Sequence, residues 1–129
     1  MTHSDNHWFF WAAISGFLCV ALGAFGAHAL KASVSAANLE VWKTAVQYQM
    51  FHTLALMLLN VLSGKLSQRV LCWIGRLWCA GLVLFCGSLY VLVLTDLRWL
   101  GAITPLGGTL WLIAWALLAI AAFRQRRMQ

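Results

Sequence analysis

Hydrophobic positions in this 129-residue chain fall in four long blocks rather than in narrow stripes. The first, Trp8–Ala29, runs 22 residues without a Lys, Arg, Asp or Glu. At ~1.5 Å per residue it covers about 33 Å, enough for a hydrocarbon core of ~30 Å. The second block, about 45–62, is just long enough and carries Gln47, Gln49, His52 and Asn60. The third is about 71–94, with Arg76 in its second turn. The fourth, about 104–123, opens on Pro105, where a missing N–H costs nothing. A moderately amphipathic stretch, about 35–43, alternates Leu39, Val41 and Trp42 with Asn38, Glu40 and Lys43, and reads as an interfacial segment leading into the second block. The linkers 63–70 and 95–103 are short, so consecutive spans should pack antiparallel. The pattern predicts an all-α fold, a polytopic transmembrane four-helix bundle, with residues 1–129 as a single membrane domain.

Composition removes the soluble alternative. Hydrophobic residues make up 63% of the chain and charged residues 9%, before ten glycines are added. Small soluble domains bury only ~60–70% of the surface their chains expose, so one this apolar would leave too much of it in water. Eight Trp and seven Phe exclude disorder. The net charge of +6 forms no basic stripe and accompanies no nucleic-acid motif, so no nucleic-acid partner is expected. The charges read instead as topology determinants. Lys65, Arg69, Arg124, Arg126 and Arg127, with Arg76 snorkelling, share one side; Lys31, Lys43 and Arg98 lie on the other, beside Glu40 and Asp96. This bias places both termini in the cytoplasm. Ala27-His28-Ala29 mimics a signal-peptidase site, but the preceding segment lacks Lys and Arg, and the block is too long for a signal sequence. It reads as a retained helix.

Small residues mark the packing faces. Gly16, Gly23 and Gly26, with Ala12 and Cys19, form one stripe on the first span; Gly75, Cys79 and Cys86, with Cys72, form another on the third. The four cysteines show no C-x-x-C pair and none lies in a loop, so neither a disulfide framework nor a zinc site is suggested. Trp8, Trp11, Trp73 and Trp78 fall near the inner interface and Trp42 and Trp99 near the outer, as belts of aromatic anchors do. Trp111 and Trp115 lie deeper, on one face of the fourth span.

The candidate chemistry lies in the polar minority. Gln49, His52 and Asn60 fall on one face of the second span, with Tyr48 four residues before His52; His28 ends the first span on the same outer side. Polar groups in hydrocarbon need partners or water, so this face should look into the bundle. One reading is a buried hydrogen-bond network of His28, Tyr48, Gln49, His52, Asp96 and Arg98 that fixes packing. The other is an outward-facing pocket in which His28, Tyr48, Gln49 and His52 contact a ligand, with Arg98 as an anion partner. Two histidines make a poor metal site, so no metal and no cofactor are expected. No catalytic motif is present, no loop cysteines support thiol exchange, and no span contains the Asp or Glu that a proton-coupled exporter uses.

Five blocks carry a resemblance: Ala12–Phe17, Ala21–His28, Tyr48–Ala55, Gly87–Tyr90 and Thr104–Gly108. On them the sequence, from Trp8 to Arg127, resembles the YgdD-like family of small four-span bacterial inner-membrane proteins, a group of unknown function. The resemblance implies the topology and an inner-membrane location, and it brings no mechanism. The resulting expectation is a non-enzymatic membrane protein that binds a small ligand or a membrane partner at its polar periplasmic end. The alternative is an accessory subunit whose polar residues only hold the bundle, and a small transporter or enzyme comes third. Expected partners are membrane lipids, with the ligand or partner protein and a homo-oligomer also admitted.

Overall fold

The computed structural model describes residues 6–129. The head of the N-terminal tail, residues 1–5, which the resemblance leaves unmatched, lies outside them. Helix α1 spans Asn6–His28, α2 Ala36–Leu62, α3 Gln68–Gly81, α4 Ser88–Thr95 and α5 Thr104–Arg127. A π-helical turn, Leu82–Gly87, joins α3 to α4 without a break, so residues 68–95 form one third span. Short 3-10 turns follow α1 and α4. Four helical segments are long and apolar enough to cross a membrane, and there is no strand among the described residues. In hydrocarbon no water satisfies a backbone N–H or C=O, and a helix satisfies its own.

Local signals set the ends. Ser35 Oγ accepts from the Asn38 N–H at 3.1 Å and starts α2. Ser67 Oγ does the same for Val70 at 3.3 Å and starts α3. Asp96, with φ +58°, closes the third span in the left-handed conformation that short polar side chains tolerate. The amphipathic 35–43 stretch is continuous with the second span. Its residues are the first turns of α2, because the Ser35 cap begins the helix well before the apolar block. Gln49 consequently sits at the middle of α2 rather than near one end.

α1 lies along α2, α3 lies along α5, and α2 also meets the π turn and α4. The main core gathers Leu56, Leu59, Ile74, Trp78, Trp111 and Ala114; a second cluster of Leu30, Trp42, Leu92, Val93 and Leu100 closes the end opposite the termini. Phe17, Val20, Val83 and Leu112 are 71–75% exposed, which only lipid makes tolerable. Trp42 and Trp78, read from sequence as interfacial anchors, are instead buried. The Trp42 ring fits above Gly26, and its Nε1 donates to the Leu22 carbonyl at 2.9 Å.

Two close contacts from α5 accompany the π turn. Trp111 Nε1 donates to the Trp78 carbonyl at 3.1 Å, and its indole occupies the space where a Cβ on Gly81 would sit. The indole shares the Trp78 carbonyl with the Leu82 N–H, so α5 grips the third span where the π turn begins. One turn later, Gly107 of α5 comes so close that a Cβ there would lie 2.5 Å from the Phe85 backbone nitrogen. A Cβ on Gly87, by contrast, meets nothing within 4 Å.

The two glycines should therefore respond oppositely. Gly107→Ala forces backbone apart and should lower stability by about 1–3 kcal/mol. Gly87→Ala removes a helix-weakening glycine at no steric cost and should raise it by about 0.5–1 kcal/mol. Thermal unfolding of both variants in mild detergent checks this; destabilisation by Gly87→Ala would contradict it.

Candidate functional site

The polar centre of the bundle is built around Gln49. Its Nε2 donates to the Ser15 carbonyl at 3.1 Å and to Ser15 Oγ at 3.3 Å, while its Oε1 accepts from the Tyr90 hydroxyl at 2.6 Å. Ser15 Oγ in turn lies 2.6 Å from Thr53 Oγ1. One amide thus ties α1, α2 and α4 together at mid-membrane. The Tyr90 ring is held in place against Trp42, with centroids 4.7 Å apart. Having donated its proton to Gln49, the Tyr90 oxygen keeps lone pairs for a further donor.

This centre forms part of the wall of a cleft. Between α1 and the third span lies a cavity of about 610 Å³, within the ~300–1,000 Å³ usual for small-molecule sites. Trp8, Ile14, Leu18 and Leu22 form one side, and Cys79, Leu82, Val83 and Gly87 the other. Ser15, Gln49 and Tyr90 contribute its polar band, and His7 and Arg76 stand at the end nearest the termini. The π turn supplies much of one wall, and such turns recur at functional sites.

His52 has a different surrounding. Its ring stacks on Trp111 at 3.6 Å between centroids and 9° between planes. Nδ1 lies 3.0 Å from the Tyr48 carbonyl, and Nε2 lies 3.2 Å from Trp115 Nε1. An indole N–H only donates, so Nε2 is the acceptor and Nδ1 carries the proton. Both ring nitrogens are committed, which leaves none for a ligand. Tyr48 is on the outer surface, its ring stacked with Trp111 at 6.0 Å. His28 is exposed at the end of α1.

Arg98 belongs to a third group. Its Nη2 reaches Asp96 Oδ1 at 2.8 Å and Asn38 Oδ1 at 3.1 Å, and Asn38 Nδ2 points back to Asp96 Oδ1 at 3.4 Å. This triad pins the α4–α5 connection to the start of α2. Of the five residues proposed from sequence as ligand contacts, Tyr48 and His52 are brought together, and Gln49 alone lines the cleft. His28 and Arg98 stand apart from it.

The small-residue faces are also placed. Gly16, Gly23 and Gly26 face Thr53, Val46 and Trp42 of α2, and Gly75 lies beneath Trp8. The Cys86 and Cys19 thiols donate to successive α2 carbonyls, those of Ala45 at 3.3 Å and Val46 at 3.4 Å. Cys79 faces the cleft. No group of three or more His, Cys, Asp or Glu capable of holding a metal occurs among the described residues. Sequence reasoning gave Ser15 and Thr53 no role, although Ser15 lies between Ala12 and Cys19 on the small-residue side of α1.

Four apolar spans with lipid-facing Phe, Leu and Val define a multi-pass membrane protein. Residues 22–108 match the family described as "Protein of unknown function (DUF423)", and the chain belongs to that family. It is 48% identical over 112 residues to a UPF0382 membrane protein of Staphylococcus aureus (strain bovine RF122 / ET3-1), covering 87% of this chain and 91% of that relative. It is 47% identical over 113 residues to the UPF0382 membrane protein YwdK of Bacillus subtilis (strain 168), with coverage of 87% and 92%. No solved structure matches the chain.

The two histidines should separate cleanly under substitution. His52→Ala leaves a void beside Trp111 and an unsatisfied Trp115 N–H, and should cost about 2–4 kcal/mol. His28→Ala, at an exposed helix end, should change stability by less than about 0.5 kcal/mol. Equal unfolding midpoints for the two would remove His52 from the packing scheme.

Proposed function

We propose that this protein is a non-enzymatic bacterial inner-membrane protein that binds a small, lipid-soluble ligand in the cleft between α1 and the third span. The observation that carries this reading is the cleft itself: an open space beside Gln49, walled partly by a π turn. This moves the ligand from the outer end to mid-membrane. Gln49 is the contact retained from the sequence reading, and Ser15 and Tyr90 join it. Tyr48, His52 and Arg98 act in packing and loop geometry, and His28 is exposed at the end of α1. We take the YgdD-like group to be part of the same family.

A second reading has its own support. The closed groups around His52 and Arg98 fit an accessory subunit whose polar residues serve only assembly. A substitution that fills the cleft distinguishes the two. Gly87→Leu projects into open space, so the bundle should keep its thermal stability. Native mass spectrometry of wild-type protein from nanodiscs should show a retained small-molecule mass that this variant loses. No retained mass in either protein would favour the accessory role.

The orientation rests on Lys65, Arg69, Arg124, Arg126 and Arg127 at the end bearing both termini. A C-terminal reporter should be active only in its cytoplasmic form; activity of a periplasm-dependent reporter would reverse the orientation.

A further inference from the structure

The cleft has a direction. On α1 its walls run from His7 to Leu22, and on the third span from Arg76 to Tyr90, about 21 Å at ~1.5 Å per residue. One leaflet of hydrocarbon is only ~15 Å deep, so the cleft is longer than a leaflet. Leu18 and Val83, on its walls, are 46% and 71% exposed, so its side is open to lipid. The polar band does not obstruct an alkyl chain, because Ser15, Gln49 and Tyr90 already satisfy one another.

Arg76 stands at one end with a permanent charge. Its guanidinium lies 5.5 Å over the Trp73 ring, and no carboxylate among the described residues pairs with it. The described carboxylates, Glu40 and Asp96, occupy the opposite end. A cation at the edge of hydrocarbon is stabilised by an anion, and the planar guanidinium fork matches a phosphate. The surrounding Lys65, Arg69, Arg124, Arg126 and Arg127 draw anionic headgroups to this end.

Building on the ligand-binding reading above, we infer that the occupant is an anionic phospholipid of the leaflet at the basic end. One acyl chain lies in the cleft between α1 and the third span, and the headgroup phosphate pairs with Arg76. Charge complementarity at the mouth and the lateral opening favour a bilayer lipid over a second copy of the chain, whose Glu40 and Asp96 lie at the opposite end.

The test is native mass spectrometry of the full chain from nanodiscs holding phosphatidylglycerol and phosphatidylcholine with matched acyl chains. Wild type should retain phosphatidylglycerol in several-fold excess over its share of the bilayer. Arg76→Gln should bring the bound ratio to within about twofold of the bilayer's, while Lys31→Gln, exposed at the opposite end, should leave the preference intact. Gly87→Leu should remove both lipids; if it fails to fold, Val83→Trp fills the same space from its exposed edge. Unchanged phosphatidylglycerol preference in Arg76→Gln, with binding still lost on filling the cleft, overturns the headgroup assignment alone. Full lipid retention after the cleft is filled overturns the ligand site as well. A second copy of the chain as the species lost on filling also overturns the lipid assignment.

Discussion

The arrangement of this bundle depends on the three-way hydrogen bonding of Gln49. The α1 backbone packs along α2 and leaves the third span at a distance. Two contacts relate the two sides: Trp8 packs over Gly75 near the termini, and at mid-span the Gln49 amide donates to Ser15 on one flank and accepts from Tyr90 on the other. Polar contacts between helices in a bilayer average only ~0.6 kcal/mol, so the set contributes about 2 kcal/mol. Its effect is geometric rather than chiefly energetic. Losing either partner would leave an amide group unsatisfied in hydrocarbon, so α1 is kept at the distance that leaves the cleft open.

A second device fixes the opposite wall. The Trp111 indole reaches the Trp78 carbonyl across Gly81, and Gly107 brings α5 against the Phe85 backbone. The ladder of the third span steps into a π turn between these contacts, and that turn faces the cleft with Val83, Cys86 and Gly87. Trp111 also stacks on His52, so the same ring contacts both the third span and α2. The buried Trp78 Nε1 finds no hydrogen-bond acceptor among the described residues. Its indole is retained through its packing against Trp115, with centroids 4.8 Å apart.

The four spans were legible because block length and absence of charge are local properties of the chain. So was the importance of Gln49, since an amide in an apolar block must find partners. Its partners were not legible: Ser15 and Tyr90 stand 34 and 41 residues away, and only the tertiary fold brings them near. His52 and Gln49 looked equivalent because both sit on the polar side of α2. Three residues turn a helix by about 300°, and that offset of ~60° sends His52 to Trp111 and Gln49 to the cleft. Arg76 was visible as an anchor, but the cleft beside it arises from the separation of two helices that no local pattern encodes.

A structure determined in lipid nanodiscs tests the central claim most directly. Elongated density between α1 and the third span, running from Arg76 past Gln49 toward Tyr90, is the predicted result. Direct packing of α1 against Val83 and Gly87, with the cleft closed, would contradict it.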